Sequence, residues 1–375
     1  MRYRKANLVT LTLLVSLTVA VVVRAQDARK LRTWTDSTGT RKVQARFIEL
    51  DGENVVLQRQ DGKQVRVPLE RLSNADRAFA QRASRVNEQT QQAASPVDVA
   101  EQTFDWPGWR GPNRDGVSRE TGLLTSWPAD GPPLLWKANG LGAGYASVAV
   151  VQGKIFTMGK KDATKLIALD AADGSLLWET PVGGGNAPNC TPTVDGDLVF
   201  GLSHSGDLLC AETATGREVW RKSFPRDFGG KMMSVWGYSE SPLVDGDRLI
   251  VTPGGKNAMM AALDKRTGRV IWTAAMPPNP GKAGQNGAAY SSPVISHAAG
   301  VKQYVQLVGR GVIGVDAETG KLLWGYNRIA NGTANVPTPL VKGDYVLCSS
   351  GYGDGGSTLL KLSGRRGNIS AEEVW

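Results

Sequence analysis

The chain has 375 residues, 41% of them hydrophobic, with 45 glycines and 19 prolines, a balance suited to many short strands and tight turns rather than to long helices. Three cysteines in this length exclude a disulfide-dense scaffold. The formal net charge of +9 does not describe a nucleic-acid binder: residues 1–25 and 26–92 each contribute +4, residues 93–105 contribute −3, and all of 106–375 only +4, scattered without a basic stripe or interleaved aromatics.

In chain order, Arg2, Arg4 and Lys5 precede an apolar run from Leu8 to Val23 and then Arg24-Ala25. This is the grammar of a secretory signal, expected to be cut near Ala25. Its 16 apolar residues are slightly short for a membrane span, so membrane attachment would come only through an uncleaved anchor. Four alternating runs follow, Arg32–Trp34, Val43–Ile48, Asn54–Gln58 and Gln64–Val67, separated by Thr38-Gly39, Asp51-Gly52 and Asp61-Gly62 turns. Ser73 or Asn74 then caps a short helix expected from Ala75 to about Arg82. The segment 26–85 reads as a small barrel-like module, and 86–105, rich in Gln, Ala and Ser without periodicity, as a flexible linker.

From Trp106 onward the sequence repeats. Trp136, Trp178, Trp220, Trp272, Trp324 and Trp375 recur at intervals of 42, 42, 52, 52 and 51 residues. Most of them close one phrase, as in Ala168-Leu-Asp-Ala-Ala-Asp-Gly-Ser-Leu-Leu-Trp178 and Ala262-Leu-Asp-Lys-Arg-Thr-Gly-Arg-Val-Ile-Trp272. Within one unit, Ser147–Val151, Lys154–Met158, Lys165–Asp170 and Leu176–Trp178 are short strand runs joined by Gln152-Gly153 and Asp173-Gly174 turns. A four-stranded sheet repeated at this period is the unit of a β-propeller. The fold class is therefore all-β: a β-propeller with five complete four-stranded blades, plus the small barrel-like module. A single blade exposes two apolar faces, so the recurring tryptophans are expected to wedge between neighbours as structural packing. Trp136 reads as a sixth outer strand without inner partners, and Trp375 as the outer strand of the fifth complete repeat. The expectation is an open arc of five blades belonging to a longer protein.

Chemistry-bearing motifs are sparse. Cys190, Cys210 and Cys348 are isolated, the latter two in strand-like runs where a buried thiol acts as a small hydrophobe. His204 and His297, the only histidines, fall in different repeats at what read as equivalent second-hairpin positions, and no carboxylate pattern surrounds them, so no metal site is assigned. No nucleophile elbow, Walker loop or HExxH helix occurs. The glycine runs 183–185 and 353–356 open no helix and read as loops. What remains is one face. The connections from each outer strand to the next blade's inner strand emerge together around the channel mouth and carry Tyr145, Asn189, Trp236, Tyr238, Glu240, Asn286, Tyr290 and Asn335. These form a candidate ligand-binding rim. Tyr145, Tyr238 and Tyr290 could equally pack the channel wall. No catalytic or metal-binding residue is assigned.

The run Trp106-Pro-Gly-Trp-Arg-Gly-Pro-Asn-Arg-Asp-Gly116, together with the Asp-x-x-Thr-Gly-x-x-x-Trp phrase, resembles the pyrroloquinoline-quinone-like β-propeller repeat family across 106–375. That family divides into quinoprotein dehydrogenases and non-enzymatic relatives similar to the outer-membrane assembly lipoprotein BamB. The resemblance implies pyrroloquinoline quinone and Ca²⁺ only for the enzymes. Those need a catalytic Asp and a Glu/Asn/Asp calcium set, and many have a disulfide of adjacent cysteines. Neither the adjacent cysteines nor an appended CxxCH segment is found here, and no cysteine precedes Cys190 to make a lipoprotein. Upstream, Trp34-Thr-Asp36, Ala45-Arg-Phe47, the Asp61-Gly62 turn and Val67-Pro-Leu-Glu-Arg-Leu-Ser-Asn-Ala-Asp76 resemble the Sla1 homology domain 1 family, SH3-like and peptide-binding in eukaryotic members. The expected function is an exported, non-catalytic interaction platform in the periplasm or cell envelope with a protein or peptide partner. The alternatives are a quinone-dependent dehydrogenase of alcohols or sugars and a carbohydrate- or peptide-binding module.

Overall fold

The computed structural model describes residues 31–92, 105–128, 131–353 and 355–375. The signal segment, most of the expected linker and Asp354 lie outside the described residues. The chain divides into two compact units, residues 1–102 and 103–375.

The first unit is a four-stranded antiparallel sheet, β1 (Arg32–Thr35), β2 (Lys42–Asp51), β3 (Asn54–Arg59) and β4 (Gln64–Pro68), in sequential order. Inward positions alternate along the strands, as half-buried sheets require. Trp34, Phe47, Val55, Leu57 and Leu72 are buried there. Helix α1 (Asn74–Gln92) lies against this core. It runs ten residues past the expected end and into the segment read as linker. Its start fits Ser73 as cap: the Ser73 hydroxyl accepts the Asp76 amide at 3.2 Å and donates to the Asp76 carboxylate at 2.8 Å. Asp76 also accepts from the Thr35 amide and pairs with Arg32 at 2.6 Å. The Arg32 guanidinium in turn sits 3.8 Å over the Phe79 ring.

The second unit holds five four-stranded antiparallel blades, each with its strands in sequence order. Blade 1 comprises β5 (Ala149–Val151), β6 (Lys154–Lys160), β7 (Thr164–Asp170) and β8 (Leu176–Gly183). Blade 2 comprises β9 (Thr193–Asp195), β10 (Leu198–Leu202), β11 (Asp207–Glu212) and β12 (Glu218–Ser223). Blade 3 comprises β13 (Leu243–Asp245), β14 (Arg248–Val251), β15 (Met260–Asp264) and β16 (Val270–Ala274). Blade 4 comprises β17 (Val294–Ser296), β18 (Gln303–Val308), β19 (Gly311–Asp316) and β20 (Leu322–Tyr326). Blade 5 comprises β21 (Leu340–Lys342), β22 (Tyr345–Ser349), β23 (Ser357–Arg365) and β24 (Asn368–Glu373). While β22 and β23 of blade 5 alternate between buried and more exposed positions, middle strands of blades 1–4 are buried on both faces, every residue of β10, β18 and β19 included. This is the near-continuous burial expected where sheets stack face to face. His297 follows β17 and so belongs to the first hairpin of its blade, not the second, because the connection after β17 folds into a 3₁₀ turn.

The recurring phrase builds the joints between blades. The Trp136 indole N–H donates to the Ala171 carbonyl, Trp178 to Thr213, Trp220 to Lys265 and Trp272 to Ala317, at 2.9–3.3 Å. Each acceptor is the residue after the acid of the next phrase. Each ring also lies against that phrase's glycine: Gly174, Gly216, Gly268 or Gly320. A β-bulge one position before the acid recurs in blades 1–4, between Ala168/Leu169, Cys210/Ala211, Ala262/Leu263 and Gly314/Val315. Blade 5 lacks the phrase and that bulge. Accordingly Trp324 turns to its own blade, donating to the Gln303 side chain at 2.6 Å. The blade 4–5 joint carries Arg366 forked onto Asp316 at 2.9 and 3.2 Å instead, and Arg328 on Glu373.

One further reading needs correction. Trp136 lies in no strand, and its docking on the blade 1 hairpin explains its spacing. Trp375 follows β24, and its carbonyl accepts from the Leu359 amide and the Thr358 hydroxyl of its own blade. β24 pairs with β23, and β5 pairs with β6 and with Trp106.

Candidate functional site

The segment Trp106–Gly116 threads the centre and touches the first-strand region of every blade. Trp106 pairs with Val150 in both directions, at 2.7 and 2.9 Å, and the Pro107 carbonyl takes the Val194 amide. The Trp109 indole donates to the Thr338 hydroxyl at 3.3 Å. Arg114 donates to the carbonyls of Pro293 at 2.9 Å, Ser241 at 2.5 Å and Pro242 at 3.2 Å. Tight turns at Gly108 and Gly111 let the chain cross so small a space: a β-carbon at Gly111 would fall 2.8 Å from the Trp106 ring. Loss of solvent holds the Arg114 guanidinium down to about 10.

Around this plug runs a belt of side-chain hydroxyls. The Ser147 amide donates to Thr191 Oγ1 (3.3 Å), the Thr191 amide to Ser241 Oγ (3.2 Å), the Ser241 amide to Ser292 Oγ (2.9 Å), and the Ser292 amide to Thr338 Oγ1 (3.4 Å). Each donor opens one blade and each acceptor opens the next. A proline follows each accepting residue, Pro192, Pro242, Pro293 and Pro339, fixing the approach to the inner strand.

Above belt and plug lies a cavity of about 440 Å³. It is lined by Trp109, Tyr145, Asn189, Trp236, Tyr290 and Tyr352, with Ser239, Ser241, Ser292 and Thr338 among them. All five blades and the plug contribute. The Trp236 and Tyr290 rings meet edge to face with centroids 5.8 Å apart. Asn189 is held by its amide, which donates to the Trp236 carbonyl (3.1 Å) and to Ser239 Oγ (3.0 Å). Tyr145 is 82% exposed and Trp236 48% exposed, so their rings face solvent at the mouth. No charged side chain lines the cavity among the described residues.

Of the eight rim candidates, the fold brings together Tyr145, Asn189, Trp236 and Tyr290. The other four point elsewhere. Tyr238 is buried edge-on against Phe224 at 5.2 Å and donates to the Pro253 carbonyl, which burial answers by raising its phenol. Asn286 is exposed and accepts from Arg310. Asn335 is wholly buried, receiving Asn331 and Ser350 and donating to the Val308 and Gly309 carbonyls. While its neighbours Ser239 and Ser241 line the cavity, Glu240, in the chain leading into β13, is buried. One oxygen accepts the Thr252 amide at 2.6 Å, while the other lacks a hydrogen-bond partner. Desolvation pushes this carboxyl up to about 7, against the pull of Arg114. Beside it, burial pushes the Cys190 thiol up to about 12. Trp109, Tyr352 and the hydroxyl belt were not among the candidates, although the hydroxyl-Pro dipeptides repeat visibly in the sequence.

A larger hollow of about 670 Å³, floored by Asp245, Arg248, Lys302, Glu318 and Arg366, lies between blades. Several of its charges are engaged in pairs, Lys302 with Asp245 at 2.7 Å and Arg366 with Glu318, and Arg248 donates to the Ala317 carbonyl. Among the described residues no group of three or more His, Cys, Asp or Glu could hold a metal ion, and no helix is long and apolar enough to cross a membrane.

Comparison with known families agrees with this architecture. Residues 126–203 and 187–374 match the family described as outer membrane protein assembly factor BamB. The chain belongs to that family. Residues 23–88 match SLA1 homology domain 1. Curated relatives include the tetrathionate hydrolase of Acidithiobacillus ferrooxidans, 25% identical over 56% of this chain and 40% of its own length. The dehydrogenase subunit of the quinone alcohol dehydrogenase of Acetobacter aceti is 32% identical over 31% of this chain and 18% of its own. BamB of Burkholderia pseudomallei is 22% identical over 51% and 44%. The chain thus spans less than half the length of these relatives. Among solved structures, BamB of Moraxella catarrhalis matches with a TM-score of 0.45 at 15% identity, covering 87% of this chain and 75% of that one. The quinohemoprotein alcohol dehydrogenase of Comamonas testosteroni gives 0.48 at 17%, covering 74% and 50%. BamB-type propellers and quinoprotein dehydrogenases both stand among the relatives, and the fold alone does not choose between them.

Proposed function

We propose that this protein is a non-catalytic binding propeller of the cell envelope, an interaction platform whose partner engages the loop face at the channel mouth. The observation that carries this reading is the lining of the mouth cavity: rings, hydroxyls and one amide, without a carboxylate, base or activated nucleophile. Binding sites are concave, largely apolar and punctuated by a few placed polar groups, whereas catalysis needs titratable groups within reach of the reacting atoms. Kinship with BamB, named as an assembly factor of the outer membrane, supports an envelope location and a protein partner.

The dehydrogenase reading needs a different donor set. Pyrroloquinoline quinone carries three carboxylates and works with Ca²⁺, which prefers several oxygen ligands including carboxylates. The described cavity lining supplies neither carboxylates for the cation nor cations for the quinone. Glu240, the nearest acid in sequence, is buried and bonded to Thr252. No step through that group is derived. The test has two arms: fractionation of the native host, expected to place the protein in the envelope, and incubation with the quinone and Ca²⁺ before dye-linked oxidation of alcohols and sugars. Turnover in the second arm that depends on both additions would overturn the proposal.

A further inference from the structure

The hydroxyl belt gives the mouth cavity a chemical preference. Ser241 Oγ, Ser292 Oγ and Thr338 Oγ1 line the cavity, and each already accepts a backbone amide from the preceding blade; Thr338 Oγ1 also accepts the Trp109 indole. A hydroxyl offers two acceptor positions and a single hydrogen to donate. Among the described residues, none of these three hydroxyls has a protein acceptor. Blades 3, 4 and 5 therefore each present an O–H hydrogen bounding the same cavity. The Asn189 amide nitrogen donates to Trp236 and Ser239, and among the described residues its carbonyl oxygen has no protein donor. Facing this arc are two indoles and three phenol rings, Trp109, Trp236, Tyr145, Tyr290 and Tyr352, four of them between 38% and 82% exposed.

A fitting ligand must present several acceptor oxygens in an arc, carry no charge, and offer flat C–H faces to aromatic rings. We propose that the occupant of the mouth cavity is an uncharged saccharide of a few sugar rings, its ring and hydroxyl oxygens on the Ser241, Ser292 and Thr338 hydroxyls and its C–H faces on Trp236 and Tyr145. The cavity's about 440 Å³ lies at the lower end of the ~300–1,000 Å³ common for small-ligand sites. An extended peptide is matched less well. It alternates amide donors with carbonyl acceptors and usually gains affinity by pairing with an open strand edge, and the cavity is lined by side-chain groups rather than by such an edge. Charged ligands would enter without a counter-charge and would lose hydration uncompensated. This inference rests on the reading of the mouth as a binding site and assigns its cavity a ligand class, separate from the protein partner proposed for the surrounding loop face.

The test titrates the full chain with neutral cello-, xylo-, malto- and chito-oligosaccharides of two to four residues, followed by tryptophan fluorescence and calorimetry. Uronic-acid oligomers and short neutral peptides run in parallel. The expected result is saturable binding of at least one neutral series, with uronic acids at least about tenfold weaker. Tyr145→Ala and Trp236→Ala, at exposed rings whose removal leaves the core intact, should each weaken that binding about tenfold or more by calorimetry, with far-ultraviolet circular dichroism and the urea midpoint unchanged. No saccharide binding, or binding indifferent to both substitutions, overturns the inference. Peptide binding that disappears in the same variants would overturn the saccharide but leave the platform standing. Quinone-dependent turnover would remove both.

Discussion

Ring carbons of Trp272 occupy the space where a β-carbon on Gly320 would be, 2.6 Å from its ideal position, while the Trp272 indole N–H bonds the Ala317 carbonyl three residues earlier. One residue type thus serves two needs at Gly320: its φ of +73° suits glycine, and the neighbouring blade's ring needs the absent side chain. The same pairing holds at Gly174, Gly216 and Gly268.

Gly320→Ala is expected to cost at least about 2 kcal/mol, backbone strain adding to displacement of the ring. Gly246→Ala is the control. Its φ is +58° but nothing lies within 4 Å of the added carbon, so strain alone, about 1 kcal/mol, should be felt. Urea denaturation of both variants checks this; equal losses would mean that the ring contact contributes nothing.

Arg114 fastens three carbonyls of blades 3 and 4 to the plug. Arg114→Met keeps much of the stem but removes every donor, leaving the carbonyls of Ser241, Pro242 and Pro293 to find water. A loss of about 2–4 kcal/mol is expected. Trp109 fluorescence should shift as the plug loosens, because its indole bonds Thr338 from the same segment. A variant with wild-type stability and spectrum would show the plug to be held by its backbone alone.

Glu240 predicts a pH dependence. Its carboxyl, held up near 7 in the fold against 4.5 when exposed, keeps a proton that the unfolded chain releases in between. Its stabilising contribution is complete below pH 4.5 and is lost as pH rises through 7, by up to about 3 kcal/mol. Arg114, Cys190 and Tyr238 are the titratable neighbours in electrostatic contact with it. Glu240→Gln should flatten the pH–stability curve between 4.5 and 7 and exceed the parent protein's stability at pH 8. An undiminished slope would assign the dependence to other groups.

Cys190, Cys210 and Cys348 are free and buried, with burial raising each thiol to about 12. Native protein should show almost no reaction with a thiol reagent at pH 8, and three equivalents after denaturation. One fast thiol in native protein would reveal an opening of blade 2 or blade 5.

The sequence made the blades legible because their determinants are local and repeated: β-branched runs, Asp/Thr-Gly turns and a tryptophan at fixed distance. It also marked the mouth as the place to look, and Tyr145, Asn189, Trp236 and Tyr290 do meet there. What it concealed depends on facing. Glu240 sits between two lining serines, yet it is buried. Tyr238 is likewise adjacent to Ser239 but answers to Phe224. Trp109 and Tyr352 lie far apart in sequence and reach the same cavity only through the plug and the fifth blade. The Ser/Thr-Pro dipeptides at 191, 241, 292 and 338 were a readable signal, because a hydroxyl before a strand-opening proline recurs in each of blades 2–5. Trp136 misled for a physical reason: its ring makes the usual dock without a strand to carry it.

The changed chemistry of the last joint has a consequence for how the propeller comes apart. Earlier neighbours are clasped by an indole on a glycine as well as by cross-blade ion pairs such as Lys265–Asp195 and Lys302–Asp245. Blades 4 and 5 meet without that indole clasp, through Arg366 on Asp316 and Arg328 on Glu373 beside their shared apolar cluster. Apolar clasps are indifferent to ionic strength, while partly exposed ion pairs weaken as the screening length shrinks. Moderate salt should therefore loosen one end of the molecule selectively, as a sub-global opening in which β21–β24 exchange their amide hydrogens while blades 1–4 remain protected.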